Sequence, residues 1–339
     1  MVLIAALMAA LSWGADLKID LVSELHVLEA STEQVFVDGK LFSVNSAAGA
    51  VQIYGEQAKY LGAVKIAHSM ARIAPMGDHQ FVVYGKLQEP WRFYYTVVDA
   101  RTLQATGHEI RADYDLFPDR FVALANGEIF ASDIPERGIM HYRLGGRAQK
   151  LKLDIGVPTF LAVIGKSLFA VEDGLLSSSH SNLVQVDLQS GAVKRFFDKS
   201  ALPSRFSGLK LLSDGKTLAA SQIWSDQVVL IDTQAGQVAK TLPVSGGPRG
   251  VGEVGHCLVV ASEESRRISF WDKNTGAQVN EWSLSGADDR LKKPGTISID
   301  PAGRIFVRSA YPCFGCQTTQ SSLWVVEEVG GKTFSDCKL

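Results

Sequence analysis

The chain has 339 residues, 46% of them hydrophobic, and sets 34 Lys and Arg against 36 Asp and Glu. That balance excludes a nucleic-acid binder working through a basic surface, and the apolar content without low-complexity tracts excludes a disordered chain. Length alone suggests about two domains, but an internal repeat argues for one.

Residues 1–14 are apolar apart from Ser12. The run is too short for a ~30 Å hydrocarbon core, which takes about 20 residues. It fits the apolar region of a secretory signal, with Ser12 and Gly14 before a cut ahead of Ala15, although no Lys or Arg precedes it. The expectation is a signal peptide over 1–14 and one domain over 15–339. The mature chain would then lie in the periplasm or outside the cell, with no transmembrane segment. A buried N-terminal helix is the alternative. Residues 17–28 follow as a spare strand-like segment, expected to lie against the last repeat and latch it.

From there a motif recurs seven times: an apolar stretch, an acidic or aromatic residue, a turn, and another apolar stretch. The fourth residues of the copies are Tyr54, Asp99, Tyr142, Asp187, Asp232, Asp272 and Glu327, at intervals of 45, 43, 45, 45, 40 and 55. A period near 45 built of short strands indicates a radial array of small sheets. The unit at 208–242 is the clearest. Leu209–Leu212 and Thr217–Gln222 flank the turn Ser213-Asp214-Gly215-Lys216; Val228–Asp232 and Gln237–Leu242 flank Thr233-Gln234-Ala235-Gly236. An Asp before such a turn accepts its backbone N–H groups, and the Gly takes positive φ. Asp187…Gly191 and Asp272…Gly276 keep the spacing. The other units fall at about 34–62, 72–111, 120–153, 159–198, 249–284 and 296–336. The predicted fold is all-β: a seven-bladed β-propeller of four-stranded antiparallel blades.

Residues 228–276 resemble the YVTN-type seven-bladed propeller repeat. The matching residues are Val229-Leu230-Ile231-Asp232-Thr233-Gln234-Ala235-Gly236-Gln237-Val238, then Lys240-Thr241-Leu242-Pro243-Val244 and Gly247-Pro248-Arg249-Gly250-Val251. Trp271-Asp272-Lys273-Asn274-Thr275-Gly276 repeats the pattern less closely, and the family's name motif is absent. The resemblance implies an exported scaffold or binding protein. Similar rings form the heavy subunits of periplasmic amine dehydrogenases, so a redox-complex subunit is also implied. Lactonase-like propellers bind a divalent cation at the channel mouth, but Glu33, Asp119 and Glu253 make no convincing set.

Strand order places the short turns on one rim and the longer second-to-third loops and blade links on the other, where binding is expected. Arg72, Arg120 and Arg249 each precede a second-strand hydrophobe by nine residues, and Arg205 enters its blade nearby. Such guanidinium groups at the channel mouth would take carboxylates or phosphates bidentately; bracing of local loops is the plainer reading. Trp91, Arg92, Trp224 and Tyr311 put aromatics beside charge on loops, as interface anchors or tucked rings. Of four cysteines, Cys313 and Cys316 form a Cys-x-x-Cys with Gln317 where a haem site needs His. A local disulfide is the expectation; pairing with Cys337, reduced thiols, and redox or metal roles are alternatives. Cys257, in an apolar strand, reads as a small buried hydrophobe. No hydrolase, zinc-protease, P-loop or EF-hand motif occurs. The sequence therefore predicts a binding or scaffold protein for a protein partner or small anionic ligand, without catalytic, metal or cofactor residues. An enzyme or subunit of a redox or hydrolytic complex is the alternative.

Overall fold

The computed structural model describes residues 17–27, 34–45, 48–66, 69–87, 92–109, 118–133, 137–173, 181–197, 205–284, 291, 293–300, 303–311 and 319–328. They form seven four-stranded antiparallel sheets. β1 (Leu17–Val27) is set aside for the last. Blade one holds β2 (Gln34–Val37), β3 (Lys40–Asn45), β4 (Ala50–Tyr54) and β5 (Tyr60–Lys65). Blade two holds β6 (Ser69–Pro75), β7 (Gln80–Leu87), β8 (Arg92–Asp99) and β9 (Ala105–Glu109). Blade three is β10 (Pro118–Ala123), β11 (Glu128–Asp133), β12 (Gly138–Arg143) and β13 (Gln149–Lys150). Blade four is β14 (Val157–Ile164), β15 (Ser167–Asp173), β16 (Ser181–Asp187) and β17 (Val193–Arg195). Blade five is β18 (Phe206–Leu211), β19 (Thr217–Gln222), β20 (Gln227–Asp232) and β21 (Gln237–Leu242). Blade six is β22 (Pro248–Val254), β23 (Cys257–Ser262), β24 (Arg267–Asp272) and β25 (Gln278–Ser283). Blade seven takes β26 (Pro294–Ile299), β27 (Ile305–Tyr311) and β28 (Thr319–Glu328) from the far end of the chain and β1 as its outer strand.

The first strands touch in succession, β2 to β6, β10, β14, β18, β22 and β26, and β26 returns to β2. This closes the ring and makes them its innermost strands. Strands alternate their side chains between two faces, so each middle strand feeds two seams. Leu258 and Val260 pack with Leu212 and Val228 of blade five, while Val259 and Ala261 pack with Ile305, Val307 and Trp324 of blade seven. Seven such seams are present among the described residues, one per blade pair. The driving force for closure is therefore apolar burial between sheets; a fully buried large side chain contributes about 1.5–3 kcal/mol.

The seam between blades seven and one also carries polar bonds. Gln34 Nε2 donates to the Phe306 carbonyl at 3.2 Å. Buried Arg308 donates from Nη1 to Ser43 Oγ at 2.5 Å and from Nη2 to the Val44 carbonyl at 3.3 Å. The latch expected of residues 17–28 forms as an antiparallel ladder from Leu17↔Glu328 to Val27↔Thr319.

The turn chemistry read from the repeat is also present. Asp187 Oδ1 accepts the N–H groups of Gln189 and Ser190, Asp232 Oδ1 those of Gln234 and Ala235, and Asp272 Oδ1 those of Asn274 and Thr275. The N–H groups of Gly191, Gly236 and Gly276, all at positive φ, return to the aspartate carbonyls. In blade two, Asp99 makes the same turn, but the left-handed position is held by Leu103 at φ 59°.

Candidate functional site

The channel mouth on the rim of the second-to-third loops is shaped by irregularities in the innermost strands. Six of the seven first strands break register near their start, between Met70/Arg72, Pro118/Phe121, Pro158/Phe160, Phe206/Gly208, Pro248/Gly250 and Pro294/Ile297. A bulge inserts an unpaired residue and re-aims its side chain. Arg249 is the inserted residue of blade six, Arg120 belongs to the insertion of blade three, and Thr159 and Ser207 hold the station in blades four and five.

These bulges are held by neighbouring hydroxyls. Ser132 Oγ accepts the Arg120 N–H at 2.8 Å and donates to its carbonyl at 3.2 Å. Ser221 Oγ of blade five donates to the Arg249 carbonyl at 3.1 Å, and Ser207 Oγ donates to the Pro248 carbonyl at 2.7 Å. Gly208 permits the approach of blade six, because a Cβ there would lie 2.7 Å from the Arg249 carbonyl oxygen.

The two arginine side chains then take partners of their own. The Arg120 guanidinium lies over the Phe160 ring of blade four, 5.0 Å from its centroid. Burial, and after it the positive charge of Arg249, lowers the Arg120 pKa to about 10. Arg120 and Arg249 thus sense each other although they sit three blades apart. Arg120 remains a cation at neutral pH. Arg249 pairs with Glu263 on the loop after β23, and Lys293 Nζ lies 3.4 Å from the same carboxylate. Glu263 therefore balances part of a mouth charge that Arg120 extends over an aromatic ring.

The other sequence candidates are placed unevenly. Arg72 stands opposite Tyr84 in the regular ladder of blade two, one residue past the bulge rather than inside it. Arg205 precedes β18; its guanidinium stacks 5.9 Å from the Trp224 ring, and that indole is 54% exposed. The expected exposed aromatic beside an arginine is thus present at this loop. Arg92 begins β8 and Tyr311 ends β27. Trp91, Cys313, Cys316 and Cys337 lie outside the described residues. Among the described residues, no group of three His, Cys, Asp or Glu is arranged to hold a metal, and no helix is long and apolar enough to cross a membrane.

Cys257 corrects the sequence reading. It is fully buried, as a small hydrophobe would be, but it is also disulfide-bonded. An apolar strand pattern shows burial and is silent on a covalent partner far along the chain. The sequence also missed Glu263, Phe160 and Lys293, which reach the mouth from loops and a neighbouring blade. One signal was available: Pro118, Pro248 and Pro294 open three first strands just before the bulge, and Pro158 is the second residue of a fourth.

No family model matches the chain, and no curated protein does. Solved structures share its fold. A streptogramin B lyase aligns at TM-score 0.67 and 11% identity over 92% of this chain and 98% of its own. Virginiamycin B lyase from Staphylococcus aureus aligns at 0.62 and 13% over 93% and 100%. Kuenenia stuttgartiensis hydrazine synthase aligns at 0.61 and 16% over 85% and 93%. At these identities the likeness concerns architecture, which many unrelated activities share.

Proposed function

We propose that this propeller binds a small anionic ligand, a carboxylate or phosphate, at its channel mouth through Arg120 and Arg249. The reading rests on one observation: two guanidinium groups from separate blades are fixed by bulges at the same mouth, close enough that one lowers the pKa of the other. Glu263 balances Arg249 in part, and a shared anion offsets the repulsion that remains between the two guanidinium groups. Arg supplies paired donors in a rigid fork suited to such groups. Arg205 and Trp224 extend the same rim outward, and Arg72 belongs to a neighbouring blade of it. The disulfide at Cys257 agrees with work in an oxidising compartment such as the periplasm or cell exterior.

Titration calorimetry with citrate, succinate and inorganic phosphate tests the reading. Wild type is expected to bind at least one of them, more weakly as salt rises. Arg120→Met with Arg249→Met should abolish the heat while leaving the melting temperature within a few degrees. Equal binding by wild type and the double variant, or no binding of any of the three probes, rejects the mouth as an anion site.

A further inference from the structure

We propose that Lys210 is a carbonyl-reactive amine lining the axial channel, where its Nζ forms an imine with a small aldehyde. Lys210 lies in β18, the innermost strand of blade five. Its strand neighbours Leu209 and Leu211 pack into the seam with blade four. Alternation therefore turns Lys210 to the other face, toward blade six. Two observations agree. Leu212 and Ala219, the latter directly opposite Lys210 in the ladder, belong to the seam with blade six. Gly208, two residues earlier on that face, abuts the Arg249 carbonyl of β22.

Lys210 is exposed although the strand that carries it is innermost. Both faces of blade five are covered by its neighbours, so the solvent that reaches Lys210 comes through the channel. The surroundings are poor in charge. The adjacent strands β14 and β19 hold no charged residue. The facing strand β22 contributes Arg249 and Glu253. Arg249 meets β18 at Gly208, about 7 Å nearer the mouth. Glu253 is already engaged: it accepts the Ser213 N–H at 2.6 Å and the Ser213 hydroxyl at 2.9 Å, and it pairs with Lys273. The turn after β18 adds Lys216 and Asp214, whose carboxylate accepts the N–H groups of Lys216 and Thr217. Among the described residues, the Lys210 ammonium donates no hydrogen bond and joins no ion pair.

An amine so placed bears a penalty on its charged form. Desolvation lowers the Lys210 pKa, and the Glu253 charge opposes that shift without cancelling it. More of Lys210 is therefore free base at neutral pH than of a solvated lysine, and the free base is the nucleophile. Lysine suits this chemistry because burial displaces its proton readily, whereas arginine keeps its own. In the step, the Nζ lone pair attacks the aldehyde carbon and a C–N bond forms. The carbonyl oxygen then departs as water with the two protons that leave Nζ. No oxidant or reductant is consumed. The site does not depend on anion binding by Arg120 and Arg249.

The test is reductive trapping on the full-length protein. Propionaldehyde is added at pH 7 with sodium cyanoborohydride, which reduces the imine to a stable propylamine, and each lysine is then mapped by mass after digestion. Lys210 is expected to carry the propyl group several-fold more often than Lys216, an exposed lysine on the turn of the same blade. The preference should shrink as pH rises to about 10, where ordinary lysines also lose their proton, and vanish in denaturing urea. Lys210→Arg should remove the fastest-labelled position and leave the labelling of Lys216 unchanged. Labelling of Lys210 no faster than Lys216 at pH 7, or a preference that survives denaturation, overturns the assignment.

Discussion

Gly250→Ala probes how closely the innermost strands approach. Gly250 directly follows the Arg249 bulge and is buried against the start of β26. A Cβ at this position would overlap the carbonyl oxygen of Gly295 and stand 3.1 Å from the Ile297 amide nitrogen. The obstacle is backbone on both counts, so no rotamer change relieves it, and blade six must move from blade seven by an ångström or more. That shift opens the seam holding Trp282, Trp324 and Phe270, which are buried. Such strain falls in the upper range for a single substitution, about 4 kcal/mol. For a chain of this size the unfolding entropy is about 0.7 kcal/mol/K, so the melting temperature should fall by about 6 °C. The assay is a two-probe thermal melt, by circular dichroism and tryptophan fluorescence, against Gly107→Ala. Gly107 is an exposed β9 residue without positive φ whose Cβ would meet nothing nearer than Thr96 Oγ1 at 3.9 Å. Its variant should melt within about 1 °C of wild type. If Gly250→Ala also melts like wild type, the argument that backbone contact sets the width of the ring is wrong.

Other expectations follow from the seams and turns. Burial lowers the pKa of Arg308 to about 9, which marks a cation held out of water. Its replacement by the apolar Met leaves the buried Ser43 hydroxyl and Val44 carbonyl without their donor, and should cost about 1–3 kcal/mol in urea unfolding. Ser43→Ala, which leaves the guanidinium in place and removes an acceptor, should cost about 1–3 kcal/mol. Leu103→Gly should raise stability by about 1 kcal/mol, since it relieves a left-handed side-chain residue on an exposed turn; an unchanged or lower urea midpoint counts against that strain. The carboxyls of Asp99, Asp187 and Asp272 are all held below their ordinary values, chiefly by backbone N–H donors from Thr102, Ser190 and Thr275. Depressed folded values mean the stabilisation is present above the unfolded carboxyl pKa and lost as pH falls through the folded ones. Acid melts from pH 5 to pH 2 should thus destabilise wild type more than the triple Asn variant; parallel curves would show the turns do not depend on charge.

The blade repeat was legible because strands and turns are local. Alternating apolar residues, Asp–Gly turns and a period near 45 are properties of short windows, and they located the first six blades to within a few residues, while the seventh, expected at 296–336, has its last described strand end at Glu328. The closing strand was also legible, since Leu17–Val27 had no other sheet to join. The mouth was only half legible. Counting nine residues back from Phe81, Ile129 and Leu258 picked out three arginines, but a one-residue offset at a bulge is invisible to counting. It places Arg120 and Arg249 inside bulges while Arg72 stays in its ladder. Glu263 meets Arg249 across the first two strands of blade six, and Lys293 and Phe160 come from adjacent blades that meet these side chains only when the blades pack. Pairings of that kind depend on three-dimensional adjacency, as does the disulfide at Cys257.

The pairing of β1 with β28 has a consequence for biosynthesis. Leu21 and Trp324, partners in that ladder, are separated by some three hundred residues. At the usual elongation speed of 5–20 residues per second, the early strand waits roughly 15–60 s before its mate leaves the ribosome. During that interval the nascent chain carries an orphan edge, and the last event of assembly is a contact of very high order, with the slow folding such contacts impose. A holding factor, or delayed release into the compartment where folding occurs, would shield that edge from pairing with another molecule.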